Sequence, residues 1–170
     1  MSRAFVRESD DSNDDLTPPI RSQLPPGVKN LITPEGARRF QEELEVLLER
    51  KRELSQSSTP GSESDVQSRK LQFRIRQLQQ ILQSMVVTPP TAGNRDRISF
   101  GARVLVRHSN GQEQTYRIVG IDEIDLERNH ISWRSPLARA LLSQRADARV
   151  QFDSPVGKEE LLVVSFYYDR

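Results

Sequence analysis

Large apolar residues recur along this chain with two different periods, and the change between them falls near its middle. From Ala37 onward Phe40, Leu44, Leu47 and Leu54 return every three, four or seven residues, with Lys51 occupying the missing seam position. That spacing predicts an amphipathic helix with one narrow apolar stripe. Thr33-Pro34-Glu35 marks its start, with a capping hydroxyl, a proline in the first helical position and an acid in the first turn. A second stripe, Leu71, Ile75, Leu78, Leu82 and Met85, predicts a second helix. Between them lies Ser55 to Ser62, with Pro60 and Gly61, which reads as a turn. Two such helices bury their stripes by folding back on each other as an antiparallel coiled-coil hairpin.

After Val86-Val87-Thr88-Pro89-Pro90, which reads as the end of the second helix and a linker, the period shortens to two. Val104 and Val106 alternate with Arg103, Leu105 and Arg107, Asn110-Gly111 supplies a hairpin turn, and Gln114 to Val119 returns. Ile131 to Trp133, Arg149 to Phe152 and Leu161 to Tyr167 are further strands, and Ser135-Pro136 opens a short helix running through Leu142. Strands interrupted by one helix, without a βαβ rhythm, predict an α+β fold with an antiparallel sheet. The boundaries expected are an acidic, proline-rich, disordered tail over 1–30, the hairpin over 31–86, the linker over 87–97 and a C-terminal domain over 98–170.

Composition narrows the chemistry. The 25 Lys and Arg nearly cancel the 24 Asp and Glu, so a net charge of +1 excludes a histone-like binder and directs attention to local patches. The absence of cysteine excludes disulfides, thiolate metal sites and cysteine nucleophiles, and two histidines make no His-rich metal site. No run approaches the roughly 20 apolar residues of a membrane helix, and the N-terminal segment lacks the apolar stretch of a secretory signal, so a soluble cytoplasmic protein is expected.

Helix two carries Arg69, Lys70, Arg74 and Arg76 with no acid between Val66 and Arg95. This basic face either follows RNA or an acidic wall, or pairs with Glu42, Glu43, Glu45, Glu49 and Glu53 of helix one. Phe40 and Phe73 read as packing residues, and Trp133 with Phe166-Tyr167-Tyr168 as core and rim of the sheet. Ser135 with a histidine base would suggest a nucleophile, but the position before Pro136 reads better as a helix cap.

Phe100-Gly101-Ala102-Arg103-Val104, Tyr116-Arg117-Ile118-Val119-Gly120-Ile121-Asp122-Glu123, Ile131-Ser132 and Ser135-Pro136-Leu137-Ala138-Arg139-Ala140-Leu141-Leu142 together resemble the Gre transcription elongation and transcript-cleavage factors. Thr33-Pro34-Glu35-Gly36, leading into Phe40, Glu43 and Leu44, is similar to the first helix of that family. The resemblance implies an FK506-binding-protein-like C-terminal domain that docks on bacterial RNA polymerase, best placed at Asp122, Glu123, Ser135, Pro136, Leu137, Ala138 and Arg139. It implies a coiled coil that enters the polymerase secondary channel, where it meets nascent RNA and DNA only within the elongation complex.

In the family, acidic tip residues help hold a magnesium ion in the polymerase active centre, and hard oxygen ligands suit that ion. Here the tip signature Asp-x-x-Glu-Asn-x-Glu-Tyr is missing and the hairpin is shorter. Glu63 and Asp65 are the remaining tip carboxylates, and they either serve magnesium-assisted cleavage or merely favour the positive end of helix two. The expectation is therefore a monomeric regulator that is not itself an enzyme and binds no cofactor alone. A prolyl isomerase, suggested by fold analogy alone, and a coiled-coil adaptor are the competing classes.

Overall fold

The computed structural model describes residues 24–57, 64–90 and 96–169, without the side chains of 56, 57, 64 and 65. Most of the acidic tail, Glu63 and part of the linker lie outside the described residues. The element order is β1 (Asn30–Ile32), α1 (Pro34–Ser57), α2 (Ser64–Ser84), β2 (Met85–Val87), β3 (Arg103–His108), β4 (Glu113–Val119), β5 (His130–Ser132), α3 (Pro136–Leu141), β6 (Arg149–Ser154) and β7 (Gly157–Tyr167). A single turn of 3-10 helix, Ile121–Glu123, stands between β4 and β5.

α1 and α2 run in opposite directions and pack along their apolar stripes. Ile32, Ala37, Phe40, Leu78 and Ile81 are buried together, with Leu44, Leu47, Leu82 and Met85 partly buried around them. Leu71 and Ile75 continue the buried stripe on α2. Its 24 residues make α1 a rod of about 36 Å at 1.5 Å per residue. Lys51 is exposed, as its charge demands, and so is Phe73, which the sequence had suggested would pack. Phe73 stands two residues from both Leu71 and Ile75, which turns it about 200° from the stripe, away from α1.

The base of the hairpin differs from the sequence expectation. Met85–Val87 is neither the end of helix two nor linker but a strand, paired in parallel with β1 in the register Asn30 to Met85, Leu31 to Val86 and Ile32 to Val87. Thr88 N–H extends this pairing by donating to the Ile32 carbonyl at 2.8 Å. Consecutive β-branched Val86 and Val87 favour the extended conformation, and β1 supplies unpaired backbone groups for it.

The C-terminal sheet has the order β5-β4-β3-β7-β6. It is mixed rather than wholly antiparallel, because β4 and β5 are parallel, in the register Arg117 to His130, Ile118 to Ile131 and Val119 to Ser132. The connection from β4 to β5 is a crossover through the 3-10 turn rather than a hairpin, so the chain re-enters the sheet in the same direction. Between β3 and β4 the Asn110-Gly111 turn forms as its residues require. Gly111 takes a φ of 85°, and Asn110 Oδ1 accepts the Gln112 N–H at 2.9 Å.

α3 covers the sheet. Ser135 caps it by accepting the Ala138 N–H at 3.1 Å, and Ala138 and Leu141 are buried against Val104, Val106, Ile118, Val150, Leu161 and Val163. Trp133, Phe166 and Tyr168 pack partly buried around that core. This core and that of the hairpin are separate clusters.

Candidate functional site

What joins the two cores is polar. Glu123 is 3% exposed, and its carboxylate is shared between the two parts of the molecule. Oε2 accepts the backbone N–H of Thr33 at 2.9 Å and that of Gly120 at 3.0 Å, and Oε1 accepts the Thr33 hydroxyl. The same Thr33 oxygen accepts the Gly36 N–H at 3.0 Å, so it caps α1 while holding the carboxylate. A buried carboxylate is tolerable only when its lone pairs are satisfied, and here backbone donors from both sides satisfy them.

Two glycines make room. A Cβ on Gly36 would overlap the Glu123 carboxylate, and one on Gly120 would overlap the Leu31 carbonyl. A second contact lies beside the first. Arg117 is buried in β4 on the face opposite Ile118, and its guanidinium reaches Glu35 of α1 at 2.5 Å and Asp169 at 3.3 Å. Its hydrogen bond holds the Glu35 carboxyl below the usual carboxylate range. Arg103, opposite Arg117 on β3, also holds Asp169, at 2.8 Å. The pKa of His130, which pairs with Arg117 from β5, is lowered first by burial and then by the Arg117 charge. In a third contact, Asn30 Nδ2 donates to Asp122 Oδ2 at 2.9 Å and to Ser84 Oγ at 3.2 Å.

The residues expected to dock on a partner are therefore divided. Glu123 is withdrawn from any docking surface because it is buried in the joint, and Ala138 because it is buried in the sheet core. Asp122 is partly exposed and bonded to Asn30. Ser135 and Leu137 are partly buried, whereas Pro136 and Arg139 are exposed. Exposed apolar side chains that the sequence reading passed over, Ile124 and Leu126, follow the 3-10 turn directly, and Leu126 is 82% exposed.

On the arm, Arg74 forms a two-pronged pair with Glu43, Nε to Oε1 at 2.6 Å and Nη2 to Oε2 at 2.8 Å, while Arg69, Lys70 and Arg76 are exposed. The expected tip carboxylates are not brought together by any described atom. Glu63 lies outside the described residues, and Asp65 is placed only by its backbone, in the first turn of α2. Among the described residues, no three His, Asp or Glu side chains gather where they could hold a metal ion, and no helix is long and apolar enough to cross a membrane.

The joint was missed in the sequence although a signal was present. Arg117 interrupts the apolar run from Tyr116 to Val119, and a charge within a central strand calls for a buried partner.

These features define a two-part protein in which a slender helical arm is fixed to a compact α+β domain by a buried polar joint. Residues 92–168 match the family model described as transcription elongation factor, GreA/GreB, C-terminal. The chain is 38% identical over 154 residues to transcription elongation factor GreB of Neisseria meningitidis serogroup A, covering 82% of this chain and 94% of that protein. It is 36% identical over 151 residues to GreB of Pseudomonas aeruginosa, covering 81% and 90%. The solved GreA/GreB structure from Nitrosomonas europaea aligns with a TM-score of 0.41 at 20% identity, covering 83% of this chain and 99% of that one. The chain belongs to the GreA/GreB family of transcription elongation factors.

Proposed function

We propose that this chain regulates transcription elongation by docking on RNA polymerase through its C-terminal domain and directing the α1–α2 arm, as a short coiled coil, into the secondary channel. The observation that carries the reading is the 38% identity to a GreB that spans 82% of the chain, and so takes in both arm and sheet domain. The C-terminal domain supplies the grip. Ile124 and Leu126, with Pro136 and Arg139, combine exposed apolar and charged side chains of the kind found at protein interfaces. A five-stranded sheet covered by one short helix is also consistent with an FK506-binding-protein-like arrangement.

Magnesium belongs to the polymerase active centre in this reading. The residues of this chain that would approach it are Glu63 and Asp65, and the first turn of α2 would carry the latter there. The main reading is a channel occupant without cleavage chemistry of its own.

RNA cleavage in a stalled, backtracked polymerase complex tests it, with the protein alone and in excess over an active GreB. The expected result is no cleavage alone and inhibition of GreB, with inhibition lost in Leu126→Asp. Cleavage by the protein alone, abolished by Glu63→Ala with Asp65→Ala, would make it a minimal cleavage factor. Neither effect, together with no binding to polymerase, would overturn the proposal.

A further inference from the structure

A carboxylate this deeply buried could have been replaced by an apolar side chain if cohesion between the two parts were all that was required. Glu123 instead supplies direction. Its two oxygens take donors from Thr33 at the start of α1 and from Gly120 at the end of β4, so the first turn of the arm is registered against the sheet by hydrogen bonds with defined angles. Neither core includes it. The flanking pairs, Arg117 with Glu35 and Asn30 with Asp122, also cross from the sheet domain to the base of the arm. The space at Gly36 is taken by the Glu123 carboxylate, and that at Gly120 by the Leu31 carbonyl with the carboxylate beside it.

We infer that Glu123 is a positioning residue that sets the angle at which the arm leaves the C-terminal domain, so that the effect of the arm on elongation depends on it while docking does not. The inference rests on the reading of this chain as a docked factor with an inserted arm. Leverage makes the angle consequential. A rotation of about 10° at the joint sweeps the end of a rod of about 36 Å through about 6 Å, the width of more than one helical turn. An arm that must enter a channel tolerates little of that.

The chain has no cysteine, so Arg52→Cys on the exposed arm and Lys158→Cys on the exposed surface of β7 give unique spin-label sites in the full protein. Pulsed electron resonance then reads the distance distribution between arm and sheet domain. The parent and Thr33→Ser, which keeps the hydroxyl, should give one narrow distribution, whereas Glu123→Ala and Thr33→Val should broaden or shift it by up to about 5 Å, the sweep at Arg52 of a rotation of about 10°. On polymerase, the same two variants should bind within about twofold of the parent. They should nevertheless lose inhibition of GreB-stimulated cleavage by about tenfold or more.

A merely structural role would lower the melting temperature without moving the distances. Unchanged distances in Glu123→Ala, or unchanged inhibition despite changed distances, would overturn the inference. Should Glu123→Ala not fold, Thr33→Val decides alone. If the parent itself fails to bind polymerase, the functional reading falls, and the distance measurement still judges the joint.

Discussion

Replacing Gly36 by alanine separates the joint from ordinary helix energetics, because the two predict opposite signs. Gly36 is the third residue of α1, and alanine is favoured over glycine in helices by up to about 1 kcal/mol. Helix propensity alone therefore predicts a more stable protein. The structure predicts the reverse, since the new Cβ would fall on the Glu123 carboxylate. That group lies at the end of a flexible side chain and would move readily if it were free. It is instead held by Thr33 and Gly120, and moving it breaks charge-assisted hydrogen bonds worth about 1.5–3 kcal/mol each. Loss of one or two, less the propensity gain, leaves a net destabilisation of about 0.5–5 kcal/mol. Urea unfolding of the full chain, followed by helix circular dichroism, measures it. The control is the double variant with Glu123→Ala, in which the obstacle is gone and Gly36→Ala should become neutral or stabilising. A stabilised single variant, or equal effects of Gly36→Ala with and without Glu123, would refute the account of the joint.

Other perturbations read the charges on either side. Lowering the pH should weaken the fold in two stages, because the folded pKa values of His130 and Glu35 both lie below their ordinary ones. His130 contributes stability that is complete above about pH 6.5 and is lost as the pH falls through its lowered folded value, when a proton must enter beside Arg117. Glu35 repeats this from about pH 4.5 downward, and since it is half exposed its share is small. The urea midpoint should thus fall between pH 7 and pH 5, and His130→Gln should flatten that part of the profile; an unchanged slope would contradict the burial of His130. On the arm, a double-mutant cycle of Glu43→Ala and Arg74→Ala should give a coupling of no more than about 1 kcal/mol, as for partly exposed ion pairs. A coupling of several kcal/mol would mean that the pair is far better shielded than its exposure indicates.

The helices, the Asn110-Gly111 turn and the Ser135 cap were legible in the sequence because each is dictated by neighbours within a turn or two. Period and capping chemistry are local, and only at Met85 does a distant pairing, with β1, override them. β1 and β2 were not legible, because each has three residues and gains its strand pairing from a partner more than fifty residues away. The parallel β4–β5 pair escaped for the same reason, since direction within a sheet is decided by the path of the connection. Ile81 shows the limit of a stripe. Leu82 fits the heptad better, yet Ile81 is the more buried, because near the base of the hairpin α2 faces β1 as well as α1.

Of the expected docking residues, Glu123 was placed on the surface in the sequence but lies buried in the joint. Asp122 and Glu123 are charged, adjacent and flanked by Gly120, which in isolation describes an exposed turn ready for a partner. Thr33, Glu35 and Gly36 in isolation describe a helix start. Brought together, each explains what is excessive in the other. A helix cap needs a hydroxyl but no glycine at its third position, and a turn needs a glycine but no carboxylate facing inward. The surplus features are complementary, Gly36 giving the space that Glu123 fills and Glu35 the charge that Arg117 seeks. The residues that carry the family resemblance in the two halves of the chain thus meet one another in the joint. Ile124, Leu126, Pro136 and Arg139 stay exposed outside that joint, which is why the docking surface is proposed there.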